Sequence, residues 1–276
     1  MSLIYSCVVD GAPKFQDQAQ IFLRSLLATG VEPNHIHMHL TTHARQTHGL
    51  AEAMAEYGIV LHDLKPFLDG AYCNKLVQLD TLPLGSADCV ALCDTDLAFL
   101  HSLESEASSR VVRAKPVDLP NPPIAFLERS REICGLNGNQ PVVRTSCEDA
   151  PTWISNCNGG LYLLPSILAP TIAASWKKHA TTLHATHNAL EGYAHHIDQI
   201  SFAMAMLDLG LEIDPLMIED NFPLHLSDRF APDAEINPRV LHYHWLHDGG
   251  DRLLETGHAS LDRAVRAVNL RLKVNR

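Results

Sequence analysis

The sequence predicts an α/β protein with a mainly parallel central sheet. Three observations carry that expectation. Over the first hundred residues, apolar β-branched runs alternate with runs of helical spacing, the pattern of repeated β-α units. The links between the runs are short. The fourth apolar run, "CVALC" at 89–93, passes straight into Asp94 and Asp96, and ligands of such sheets sit at the carboxyl ends of the strands.

"LIYSCVV", 3–9, reads as the first strand and delivers Asp10 to that same edge. Residues 17–29 carry Ile21, Phe22 and Leu26 at helical spacing, and Gly30 follows as a stop. "HIHMHL", 35–40, alternates with period two. Its histidines, His35, His37 and His39, read as a polar strand face away from the ligand edge. Residues 44–57 read as one helix closed by Gly58, 59–62 as a strand and 72–82 as a helix.

From 115 to 151 the pattern fails. "KPVDLPNPP" is proline-rich and "GLNGNQP" is turn-rich, which predicts a long loop or a lid. Regular structure resumes in "WISNCNGGLYLLP", 153–165. Helices follow at about 166–183 and 196–209, then a strand at 239–246. An amphipathic helix over 260–273 puts Leu261, Ala264, Val265, Val268 and Leu272 on one face.

A length of 276 residues fits one domain, 1–276, with a sizeable core. The formal charge of −11 argues against a general nucleic-acid surface. No run of 18 apolar residues is present, so no transmembrane segment is expected. "MSLIYSCVVDG" lacks the basic region of a signal peptide. Seven cysteines without a CxxC pair read as reduced core thiols in a cytoplasmic protein. His184, His187 and His195 are expected at the surface.

The chemistry centres on Asp94 and Asp96. Carboxylates one residue apart at a strand end can converge on one hard cation, Mg²⁺ or Mn²⁺. A cation so held keeps positions open for substrate phosphates. His242 and His244, two apart in "VLHYH", share a strand face and add imidazole ligands. Each feature also has a plain structural reading. The aspartates can be solvated acids at a turn, Asp198 can start a helix, and Asn156 to Gly160 can be a turn.

Five pieces in order resemble the GT-A glycosyltransferases, in particular the family-8-like group of glycogenin and bacterial galactosyltransferases. They are the first strand ending in Asp10, the apolar strand ending in "DTD", "SNCNGGLYLLP", "HHIDQISF" and "VLHYH". The resemblance implies a metal-dependent transferase. It would move a sugar, with retention, from a nucleotide-diphosphate donor to an acceptor that the motifs do not specify. It implies a nucleotide-binding half over 1–114 and an acceptor-side half over 152–276. By the same resemblance, Asp94 contacts the donor and the metal, Asp96 is the principal metal ligand, and His242 is the late metal histidine. Asp10 lies near the base, and Asn74 and Lys75 approach the donor. Asn156, Asn158 and Gly160 shape the sugar pocket, and Asp198 and Gln199 sit beside the anomeric carbon.

The family follows its late histidine with Lys-Pro-Trp, whose lysine binds the diphosphate. Here the text is "HYHWLHDGGDRL". Lys75 or Arg252 is the expected replacement. Two alternatives remain. One is a haloacid-dehalogenase-like phosphatase with Asp94 as nucleophile, against which stand Ala98 and the late position of the strand. The other is a non-catalytic nucleotide-sugar-binding protein. Arg266, Arg271, Lys273 and Arg276 read as lacking nearby acids, and they raise contact of the last helix with a membrane surface against the plainer solvated face.

Overall fold

A computed structural model describes the chain except residues 187–189, 191, 275 and 276. The expectations for His187 and Arg276 therefore lie outside the described residues. The predicted first strands form: β1 (Leu3–Val9), β2 (Ile36–Leu40), β3 (Val60–Asp63) and β4 (Cys89–Cys93). They pair in parallel, β1 lying between β2 and β4. Helix α1 (Pro13–Leu27) begins before its predicted start, because Pro13 sits at the first helical position, where its fixed φ and missing N–H suit a helix start.

The helix expected over 44–57 is two short helices, α2 (Thr42–Gln46) and α3 (Leu50–Ala55). Gly49 breaks it with a φ of +77°, a left-handed conformation that glycine adopts without steric penalty. Residues 72–80 form a 3₁₀ helix rather than an α-helix. After β4 come two strands that periodicity did not show, β5 (Leu97–Phe99) and β6 (Val112–Pro116).

The segment 115–151 is more ordered than its text predicts. It holds α4 (Ile124–Ile133), which buries Phe126 and Leu127. It also holds β7 (Val142–Arg144), paired with β8 (Pro151–Trp153). Next is β9 (Cys157–Pro165), which runs antiparallel between β4 and β6. Helices α5 (Ala169–Ala185) and α6 (Ile197–Leu209) follow, then β10 (Ile213–Pro215). The seven-stranded sheet has the order β10-β6-β9-β4-β1-β2-β3. Tyr5, Phe22 and Phe99 lie in the core on one face of the sheet, and Tyr162, Trp176 and Phe202 in the core on the other.

The predicted strand over 239–246 is only β12 (Val240–His242). It joins β11 (Phe222–Pro223) and β5 in a small three-stranded sheet. Helix α7 (Ala259–Val274) closes the chain. Its apolar residues Leu261, Val265, Val268 and Leu272 are buried with Ile21 and Tyr243, so that face is not available to a membrane. Arg266 does have an acidic neighbour, Glu255 at 2.9 Å, and Arg271 donates to the Leu100 carbonyl at 2.6 Å.

All seven cysteines are free thiols, five of them buried. His37 and His39 form a buried polar face of β2, while His35 lies in the turn before it. His37 Nδ1 lies 2.8 Å from His62 Nε2, and His39 Nε2 lies 2.8 Å from Thr81 Oγ1. His195 is exposed as expected, and His184 is half-buried.

Candidate active site

At the carboxyl edge of β4 the chain brings together four distant segments. The backbone makes the first connection. Asp94 N–H donates to the Gly160 carbonyl at 2.9 Å, extending the β4–β9 ladder by one residue and bringing Asn158 to Gly160 beside the aspartates. The β5–β12 ladder makes the second. It pairs His242 with Leu97, and Tyr243 N–H donates to the Asp96 carbonyl at 3.0 Å.

One cluster surrounds Lys75. Its Nζ lies 2.5 Å from Asp94 Oδ1 and 3.7 Å from Asp198 Oδ2, and it donates to the Gly159 carbonyl. Burial works against the ammonium charge, but Asp94 and then Asp198 outweigh it and hold the Lys75 pKa above its ordinary value. Burial raises the Asp198 carboxyl to about 6, with Lys75 opposing and Asp94 reinforcing the rise. Asp198 opens α6, where its carbonyl accepts from Trp176 Nε1 at 2.8 Å.

The second cluster surrounds Asp96. His242 Nε2 lies 3.3 Å from one carboxylate oxygen and His244 Nδ1 lies 3.5 Å from the other. The two imidazoles stack at 4.1 Å with 16° between their planes. Donor atoms of Asp96, His242 and His244 all fall within 4.8 Å of one another. Burial would raise the Asp96 carboxyl; His242 and then His244 pull it down to about 2.

These residues suit a divalent cation. His242 is only 3 % exposed, yet among the described residues its Nδ1 has no hydrogen-bond partner and its Nε2 has only the Asp96 carboxylate at 3.3 Å, in poor hydrogen-bond geometry. Buried polar groups normally have one, and a ligated cation would satisfy the nitrogen. Gly160 makes room for the ring: a Cβ there would lie 2.4 Å from His242 Cε1.

Several expected site residues have scaffolding partners. Asn74 accepts from Phe67 N–H at 3.1 Å and donates to the Gly70 carbonyl at 2.7 Å, so it braces the 67–70 loop. Asn156 is fully buried and bonds Thr152 Oγ1 at 2.9 Å. Gln199 Nε2 donates to Asn156 Oδ1 at 2.7 Å and to the Asn121 carbonyl at 2.9 Å. Asp10 accepts from Ala12 N–H and from Thr41 Oγ1, and its Oδ1 lies 3.3 Å from His43 Nδ1.

Asn158 does border the site. Its Oδ1 accepts from Gly160 N–H at 2.9 Å, and its Nδ2 donates to Asp118 Oδ2 at 3.2 Å. Asp118, which pairs with buried Lys115, was hidden by the proline-rich text, although it lies just two residues beyond the end of β6. His225 packs edge-on against His244 at 3.9 Å, and no local signal marks it. Neither expected substitute for the diphosphate lysine is well placed. Lys75 already faces two carboxylates, and Arg252 is exposed beside Leu253, which is tied to Asn269 of α7.

No family profile and no curated protein matches the sequence. Solved structures do match. Mouse xyloside xylosyltransferase 1 is 13 % identical, with 89 % of this chain and 98 % of that one aligned at a TM-score of 0.56. The glycosyltransferase GlyE of Streptococcus pneumoniae is 14 % identical, covering 98 % of this chain at a TM-score of 0.57; the chain spans 63 % of GlyE. The galactosyltransferase LgtC is 13 % identical over 96 % of this chain and 94 % of its own, with a TM-score of 0.50. The fold is that of the GT-A glycosyltransferases. Within the GT-A fold, the antiparallel strand β9 separates β4 from β6, so β9 meets the site with its first residues while β4 meets it with its last.

Proposed function

We propose that the protein is a glycosyltransferase that uses a nucleotide-diphosphate sugar donor and a divalent cation. The observation that carries this reading is the convergence, at one sheet edge of a GT-A fold, of the Lys75–Asp94–Asp198 cluster and the Asp96–His242–His244 cluster. A cation held there supplies positive charge to a departing diphosphate. Of the two cations expected from the sequence, Mn²⁺ suits the imidazoles better than Mg²⁺, which favours oxygen ligands.

The chain's own residues position the reaction. Lys75 fixes the Asp94 and Asp198 carboxylates at the floor of the site. By the resemblance, Asp198 and Gln199, adjacent on α6, would flank the anomeric carbon, and the Asn156 contact orients the Gln199 amide. Orientation of this kind removes much of the entropic barrier to transfer. Retention of anomeric configuration and a cytoplasmic setting for the free thiols complete the reading. The segment 115–151 contributes Asp118, Asn121 and Ser146 to the rim and serves as a cover that slows in hydrogen exchange when donor and cation bind.

The test is incubation of the protein with a panel of nucleotide sugars and Mn²⁺. Transfer, or slow release of the nucleoside diphosphate, supports the reading, and NMR of the product reads the anomer. Donor binding with neither outcome would point to a binding protein. Phosphate release from phosphomonoesters would revive the phosphatase alternative, which the GT-A architecture leaves without support from the fold.

A further inference from the structure

The cation cradle departs from the resemblance in its charge. The resemblance implies two carboxylates and one histidine, followed by a lysine for the diphosphate. In the structure Asp94 is engaged by Lys75 at 2.5 Å, and the compact donor set is Asp96, His242 and His244. We propose that His244 takes the ligand position of the second carboxylate, and that the excess positive charge this leaves at the cation serves the diphosphate in place of the missing lysine. The assignment to a diphosphate rests on the glycosyltransferase reading; the ligand set does not.

Four observations support His244 as a ligand. Its Nδ1 faces one Asp96 oxygen while His242 Nε2 faces the other. Its Nε2 is buried and, among the described residues, has no hydrogen-bond partner. Its backbone φ is +53°, a left-handed conformation that a non-glycine residue keeps only when its surroundings enforce it. Those surroundings are visible: Gln18 Nε2 donates to the His244 carbonyl at 2.9 Å, and the His225 ring packs edge-on against the imidazole. The strained backbone therefore sets the ring parallel to His242 and beside Asp96.

The charge argument follows from the ligands. Imidazole ligates as a neutral group. One carboxylate and two imidazoles around a dication leave one net positive charge, whereas two carboxylates would leave none. The nearby lysines do not supply that charge instead, since Lys75 is paired with Asp94 and Lys115 with Asp118. At short range in a partly buried site, one net charge decides whether a diphosphate is attracted.

The experiment titrates Co²⁺, whose visible spectrum reports nitrogen ligation, into the full chain and then adds inorganic pyrophosphate. His244→Gly keeps the left-handed backbone and should weaken Co²⁺ by about 100-fold, while Asp94→Asn should weaken it by far less, about tenfold at most. His244→Asp should still bind Co²⁺ but lose pyrophosphate affinity by about tenfold or more. Melting without metal identifies variants that retain the fold. Loss of Co²⁺ binding in Asp94→Asn with retention in His244→Gly would overturn the ligand assignment. Undiminished pyrophosphate binding by cobalt-loaded His244→Asp would overturn the charge argument. Cobalt and pyrophosphate binding as expected, without transfer from any nucleotide sugar, would keep this inference and end the transferase reading.

Discussion

The Gly160 backbone lies against the His242 imidazole so closely that a Cβ would come within 2.4 Å of Cε1 and 2.7 Å of Nδ1. Gly160→Ala should therefore displace the ring. We expect a loss of about 1–3 kcal/mol in stability, the usual range for overpacking, together with weaker Mn²⁺ binding. Gly159→Ala is the control: its Cβ would meet Asp198 Oδ2 at 3.4 Å, an ordinary contact. Calorimetric Mn²⁺ titrations and urea melts of both variants check this. Equal behaviour of the two would remove the steric argument.

Asp96→Ala should abolish Mn²⁺-dependent binding of UDP or GDP. The carboxylate lies beyond the end of β4, outside its apolar body, so its loss leaves no large core cavity, and the apo protein should lose about 1–3 kcal/mol through the lost pairing with His242 and His244. A lowered melt with intact Mn²⁺-dependent nucleotide binding would make Asp96 a turn residue only.

Lys75→Met should be much more disruptive. It leaves Asp94 and Asp198 without their shared cation, and breaking a buried pair in this way costs about 3–5 kcal/mol. Adding Asp198→Asn should recover part of that loss, because one of the unpaired carboxylates is then gone. A double-mutant cycle in urea measures the recovery. Additive losses would show that Lys75 does not hold Asp198.

The buried histidines on β2 predict acid sensitivity. Burial, followed by the neighbouring His62, lowers His37 to about 4 and His39 to about 3. A histidine with a depressed folded pKa contributes stability above its ordinary value near 6.5 and loses it as pH falls toward the folded value. At about pH 5 the loss should be about 2 kcal/mol for each of the two. Urea unfolding between pH 7.5 and 5 reads the slope, and His39→Gln should flatten it. The same slope in that variant would shift the cause elsewhere.

The sequence was legible where a signal is local. β1 to β4 follow from alternating apolar runs, and β4 points to Asp94 and Asp96 because an apolar strand ends abruptly in acid. "VLHYH" gave both histidines. What stayed hidden depends on partners far along the chain. β5 has three residues and no periodicity, and it exists because β12 pairs with it. Asp118 sits in proline-rich text that obscures the strand before it. Asn74 and Asn156 match motif positions, but their amides are consumed by the 67–70 loop and by Thr152 and Gln199. Side-chain direction, which separates a ligand from a brace, is not written in spacing.

The pairing of β5 with β12 also gives the site a history. Asp96 and His242 are joined by a long arc of chain that includes β9, α5 and α6. Closing such an arc is entropically slow and comes after local structure. During synthesis the lysine-bound carboxylates can be in place while both imidazoles are still unmade. On the proposed reading, a cation would find only Asp96 of its three ligands until the tail has returned, so it would clamp the final docking step rather than guide early folding. The stabilisation from such a cation would grow with its concentration relative to its dissociation constant, and the melting temperature at a given metal level would then gauge how firmly the tail is seated.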